Sequence, residues 1–241
     1  MTLLRYNTHA CLSIFSEKGT CITSDPWILD SPVYAGCNWR MPYLTDDSRE
    51  DIISFTDFLY ISHTHEDHFH PESLKLFNKK IPIIIPKFEW CKHTRRNLLK
   101  DSLISMGFKN IIQLSSWENL EISKDLKITL VPSSSSRNHD WENSGLIIDV
   151  DNIKILNLND NIPDELLLNR VRDFISPNQI DVALVQSTGV SNYPSRFLLD
   201  NIKRAKACKD KLADNFRHEM ICSILNPKLI IPIAGDFGWM M

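Results

Sequence analysis

The chain has 241 residues, 43% of them apolar and 24% charged, with a formal net charge of −3. Those values fit a soluble globular protein with one sizeable core, so a single domain over residues 1–241 is expected. Scattered rather than striped basic residues exclude nucleic acid as a partner, and no apolar run is long enough to span a membrane.

In chain order, Ala10–Phe15, a turn at Glu17-Lys18-Gly19 and Thr20–Thr23 read as a β-hairpin that ends at Asp25-Pro26-Trp27. Met1–Tyr6 lacks the basic and apolar regions of a signal peptide. A long loop rich in Pro, Gly, Asn and Asp follows over about 31–48 and carries Tyr34, Trp39 and Tyr43, which suits one wall of a pocket. Phe58-Leu59-Tyr60-Ile61 reads as a buried strand, Pro71-Glu72-Ser73-Leu74 as a helix start, and Ile81–Pro86 as a further strand. Residues 93–107 predict a helix ending at Gly107, with strands at Asn110–Leu114 and Leu126–Val131.

After a Ser-rich turn at 133–136, Ser144–Val150 and Ile153–Leu158 predict a second hairpin. Helical spacing over 162–175 and 196–225 brackets the apolar strand Asp181–Val185, and a last strand, Leu229–Ile233, precedes Ala234-Gly235-Asp236-Phe237. Hairpins followed by strand–helix alternation thus occur twice. The pattern is that of a layered α/β sandwich built from two similar halves. Cys11, Cys21, Cys37, Cys91, Cys208 and Cys222 form no C-x-x-C pair and read as reduced thiols of a cytoplasmic protein, with Cys208 and Cys222 packed in the core.

The most informative segment is His63-Thr64-His65-Glu66-Asp67-His68. It places four metal-ligand types in six residues at the carboxyl end of a strand, where α/β folds build their sites. A His-rich surface turn has the same composition, but such turns seldom follow a buried strand directly or carry an Asp between the histidines. One extended turn cannot aim all four side chains at a point. The spacing suits two neighbouring metals, with His63 and His65 facing one way and Asp67 and His68 the other, and the donors favour zinc or iron.

Two metals need more ligands. His139 follows the strand Leu126–Val131 and reads either as a third ligand or as a solvated loop histidine. Asp160 closes the strand ending at Leu158-Asn159; it suits a bridge between metals roughly 3.5–4 Å apart, or a plain turn. Asp25 suits a partner that fixes the tautomer of a liganding imidazole. His9, His70, His93 and His218 read as structural or surface residues.

The His63–His68 cluster resembles the signature of the metallo-β-lactamase superfamily, and Asp25, His139 and Asp160 fall in the order of that family's other site positions. The resemblance implies a four-layer αβ/βα sandwich. Asp25-Pro26-Trp27, Gly36–Trp39, Tyr60–His63, Leu158-Asn159-Asp160, Gly189–Pro194 and Pro232–Gly235 look, more narrowly, like the catalytic domain of CMP-N-acetylneuraminate hydroxylases. Two departures stand out. Ala234-Gly235 occupies the place where many superfamily hydrolases carry a histidine, so Asp236 substitutes as a ligand or the second metal is weakly held. Cys91-Lys92-His93 is a lone C-x-H without the C-x-x-H of a Rieske iron–sulfur site, so that module is not expected.

The resemblance implies two divalent metal ions, zinc or iron, and two chemistries. The first is hydrolysis of an ester, amide or phosphoester of a polar small molecule, with Asp67 orienting the nucleophilic hydroxide. The alternative is a non-haem diiron oxygenase acting on a sugar nucleotide or natural-product intermediate, supplied with electrons by a separate reductase. A non-catalytic binding module is disfavoured, because the whole cluster is retained. Asn38, Trp39, Tyr193 and Arg196 are candidate substrate contacts, since Arg pairs bidentately with phosphate or carboxylate; Arg196 reads equally as a solvated helix start. The chain ends five residues after Asp236, which suits either a truncated chain or a partner subunit over the last strand.

Overall fold

The computed structural model describes residues 1–31, 33, 39–40, 44–90, 97–134, 143–186, 198–234 and 238–239, with the backbone alone at 39–40, 210–217 and 238–239. The first half contains β1 (Leu3–Thr8), β2 (Cys11–Phe15), β3 (Cys21–Ser24), β4 (Trp39–Arg40), α1 (Asp46–Phe55), β5 (Phe58–Tyr60), α2 (Pro71–Lys75), β6 (Ile83–Pro86), α3 (Leu98–Ser105) and β7 (Ile111–Leu114). The second contains β8 (Asn119–Ser123), β9 (Leu126–Val131), β10 (Gly145–Val150), β11 (Ile153–Asn157), α4 (Glu165–Ile175), β12 (Val182–Gln186), α5 (Asn201–Leu225), β13 (Leu229–Ile233) and β14 (Gly238–Trp239).

Among the described residues these strands form two six-stranded sheets, ordered β1-β2-β3-β5-β6-β7 and β13-β12-β11-β10-β9-β8, with β14 and β4 as a separate pair. Each sheet begins antiparallel and ends parallel. In the first, β1–β2–β3 are antiparallel and β3–β5–β6–β7 parallel. In the second, β8 to β11 are antiparallel and β11–β12–β13 parallel. The two similar halves expected from the repeated hairpin pattern are therefore present.

Side-chain alternation explains the layers. Successive strand residues point to opposite faces, so Tyr60 and Ile84 enter the core between the sheets, while Leu59, Ile61, Ile83 and Ile85 face the helices. The central core joins Leu12, Ile14 and Ile22 of the first sheet to Leu126, Ile128, Leu130, Leu146 and Ile148 of the second. On the outer face of the first sheet, Ile52 of α1, Leu74 of α2 and Leu99 and Leu103 of α3 cover the strands. On the outer face of the second, Leu167, Leu168, Val171 and Ile175 of α4 and Ile221 and Leu225 of α5 pack on Ile147, Leu156, Ala183 and Val185. The result is the expected four-layer αβ/βα sandwich.

The helix ends follow from local chemistry. Thr45, His70, Asn97, Asp164 and Asp200 each cap a helix by accepting a backbone N–H of its first turn. The helix expected from Pro71 is short, ending at Lys75, while those expected over 93–107, 162–175 and 196–225 are described at Leu98–Ser105, Glu165–Ile175 and Asn201–Leu225. Five elements escaped the spacing argument: β1, β4, α1, β8 and β14. β1 and β8 are edge strands with little buried surface, and α1 buries only Ile52 fully. Cys11 and Cys21 are buried free thiols, but Cys208 and Cys222 are exposed on α5, contrary to the expectation of core packing. The helix turns Ala207 and Ile221 inward instead. Cys37, Cys91 and His93 lie outside the described residues. Among the described residues, no helix is long and apolar enough to cross a membrane.

Candidate metal centre

The site forms where the carboxyl ends of strands from both sheets meet. Asp25 follows β3, the segment Ser62–His68 follows β5, Asp160 follows β11, and Gln186 ends β12. His9 joins them from the turn between β1 and β2. His9, Asp25, Asn159 and Ala234 all have left-handed backbones, with φ of 45°, 42°, 48° and 54°. Such non-glycine conformations cost energy and cluster at functional sites.

Asp25 organises the motif. It is fully buried and accepts hydrogen bonds from Ser62 N at 2.8 Å, from Ser62 Oγ at 2.6 Å and from His68 Nδ1 at 2.8 Å. With Nδ1 committed to Asp25, His68 turns Nε2 toward the other carboxylates, 3.3 Å from Asp160 Oδ1 and 3.8 Å from Asp67 Oδ2. This Nε2 is buried and has no hydrogen-bond partner among the described residues. His63 Nε2 lies 2.8 Å from His65 Nδ1 and 3.9 Å from Asp160 Oδ2. Gln186 Nε2 donates to Asp160 Oδ1 at 3.1 Å, and His9 Nε2 lies 3.0 Å from Asp67 Oδ2.

Burial and charge set the protonation states. Burial, reinforced by His68, pushes the His63 imidazole well below its usual pKa, so it is neutral and able to offer a lone pair. Burial also opposes charge on His68, but Asp160, Asp67 and Asp25 together outweigh it and raise its pKa well above the usual value. Burial works against ionisation of Asp160, yet the adjacent His68 and His63 hold its pKa below the ordinary carboxylate value.

Two groups of donors among the described residues are close enough to hold a metal ion: His9, Asp67 and His68, and His63, His68 and Asp160. His68 belongs to both. His65 stands beside His63 and outside both groups. The orphaned Nε2 of His68 between two carboxylates is a position that a divalent cation would satisfy, and the mixed imidazole and carboxylate set suits zinc or iron. The residues present therefore fit a metal. His139, Asp236, Asn38, Tyr193 and Arg196, and the side chain of Trp39, lie outside the described residues. The sequence reading missed His9 and Gln186. Neither sits in a ligand-like motif, and both reach the site only through the fold.

The fold and this cluster define a protein of the metal-dependent metallo-β-lactamase architecture. The profile described as a beta-lactamase superfamily domain matches residues 3–234, and the chain belongs to that family. It is 25% identical over 247 residues to the cytidine monophosphate-N-acetylneuraminic acid hydroxylase of Danio rerio, covering 97% of this chain and 38% of that protein. Two solved structures share the fold. CmlA, a diiron beta-hydroxylase from Streptomyces venezuelae, superposes with a TM-score of 0.64 at 17% identity, over 97% of this chain and 45% of that one. A possible metal-dependent hydrolase from Veillonella parvula superposes with a TM-score of 0.60 at 14% identity, over 97% and 98% of the two chains. The chain spans little more than a third of the length of the curated relatives it matches.

Proposed function

We propose that this chain is the metal-binding catalytic unit of a hydroxylase that acts on a polar, anionic small molecule. The observation that carries this reading is the sequence likeness to a hydroxylase over 97% of the chain. Ala234 at the end of β13, where many superfamily hydrolases carry another histidine, supports it as well. In this reading His63, His65, His68, Asp67 and Asp160 hold two metals, with His139 and Asp236 as further ligands. Asp25 fixes the ring of His68, and Gln186 orients Asp160. Iron bound there would supply oxygen activation, with electrons from a separate reductase. Asn38, Trp39, Tyr193 and Arg196 would meet the substrate, Arg196 pairing with its anionic group.

Hydrolysis is the second reading, favoured by the structural likeness to the Veillonella parvula protein over nearly its whole length. Metals would then lower the pKa of water, and Asp67 would orient the resulting nucleophile.

Elemental analysis of protein purified without oxygen separates the two. Iron near two per chain, with substrate-dependent oxygen consumption on adding reductant, supports hydroxylation. Zinc near two per chain, with turnover in the absence of oxygen, would replace it by hydrolysis. A chain that bound neither metal after reconstitution would sink both readings, whereas full metal and full turnover in His63→Ala or Asp160→Ala would refute the assignment of the ligands.

A further inference from the structure

We propose that His9 is a positioning residue that orients Asp67 for metal binding from the opposite end of the first half. The inference rests on the metal-binding reading above. His9 lies 58 residues before Asp67, yet its Nε2 is 3.0 Å from Asp67 Oδ2 in hydrogen-bonding geometry, and both residues are buried. The contrast with His68 is informative. His68 Nε2 lies between two carboxylates, 3.3 Å from Asp160 Oδ1 and 3.8 Å from Asp67 Oδ2, the relation expected of groups that face a common ion. His9 and Asp67 instead satisfy one another directly.

Asp67 lies in a turn rather than a regular element, and His9 supplies a donor to its carboxylate. The backbone of that turn is held by bonds from His68 N and Phe69 N to His65 O, at 3.0 and 2.7 Å, and these bonds do not set the rotation of the carboxylate. A donor on Oδ2 fixes the rotation of the carboxylate, whose Oδ2 lies 3.8 Å from His68 Nε2. His9 is itself held on several sides. Its ring meets Trp27 edge-on at 5.4 Å and His68 at 5.7 Å. Its carbonyl accepts a hydrogen bond from Ala234 N at 2.9 Å, at the end of β13 in the other half. A non-glycine residue persists in the left-handed region only when its surroundings over-determine it, and His9 and Ala234 both do so across this one bond. His9 thereby ties the orientation of Asp67 to the apposition of the two halves.

Three variants test this, each read by metal titration and by melting of the metal-free protein. His9→Gln keeps an N–H donor at comparable reach, His9→Asn suits the left-handed backbone but is too short, and His9→Ala removes the donor. The expected result is that Asn and Ala weaken one of the two metals by about 10–100-fold and leave the other unchanged, while Gln restores the affinity. Unchanged affinity in His9→Ala would overturn the proposal. So would equal losses in all three variants with a matching fall in metal-free melting temperature, which would make His9 a packing residue. Loss of a whole metal equivalent in both Gln and Asn variants would make His9 a ligand rather than a positioning residue. Failure of the wild-type chain to bind metal would instead remove the metal-binding reading itself, and the inference with it.

Discussion

Asp25 and His68 form a buried pair in which the carboxylate accepts Nδ1–H at 2.8 Å and both side chains are fully shielded from solvent. The pair fixes the tautomer of His68 and so decides that Nε2, not Nδ1, faces Asp160. Replacing Asp25 by Asn leaves the shape but removes the charge and one acceptor oxygen. Metal affinity is expected to fall about 10–100-fold in Asp25→Asn. Isothermal titration with zinc or iron checks this, and an unchanged dissociation constant would refute the role of Asp25.

Gly145 opens β10 against the end of β11. A Cβ added there would lie 2.6 Å from Asn157 O and 3.2 Å from Leu158 Cα, both backbone atoms that cannot swing aside. Gly145→Ala is therefore expected to destabilise the fold by about 1–3 kcal/mol. Because Asp160 follows on the same strand exit, metal affinity should fall as well. Chemical denaturation reads the first effect and metal titration the second.

Tyr60 and Ser144 join the halves behind the site. Ser144 Oγ donates to Ser62 O at 2.7 Å and meets Tyr60 Oη at 2.7 Å. Ser144→Ala leaves a buried phenol and a buried carbonyl without this partner, at a cost on the order of 1–3 kcal/mol. Tyr60→Phe removes one bond of the same chain, so the double variant should lose less than the sum of the singles. Strict additivity in a denaturation cycle would count against the coupling.

His70 caps α2, with Nδ1 2.7 Å from Ser73 Oγ and accepting Ser73 N at 3.3 Å. Burial lowers its pKa from 6.5 to about 4. The unfolded chain therefore takes up a proton at a higher pH than the folded one. The resulting stabilisation is fully present above pH 6.5 and is lost as pH falls toward 4. Its size is at most about 3 kcal/mol, and less to the extent that solvent screens the ring. His70→Asn keeps a capping acceptor and does not titrate, so wild type minus variant stability should decline as pH falls across that window. A flat difference would show that His70 does not titrate as described.

The local sequence determined much of this protein. Apolar runs such as Leu126–Val131 and Gly145–Val150 mark strands because their side chains pack on one or both faces of a sheet. The spacing of His63, His65, Asp67 and His68 marked a candidate metal site because those residues are neighbours in the chain. Asp25 and Asp160 were legible from their places at strand ends. Elements with little apolar surface, β1, β8 and α1, left no such trace, since periodicity records burial and they bury little.

Only the tertiary structure decided the rest. It brought His9 to Asp67 across 58 residues, Ser144 to Tyr60 across 84, and Gln186 to Asp160 from a neighbouring strand. It also turned Cys208 and Cys222 outward, which the spacing along a long helix could not reveal. The physical reason is common to these cases. Spacing encodes which face of an element is buried, whereas the partner that a buried polar group meets depends on how two sheets stack and where their strand ends converge.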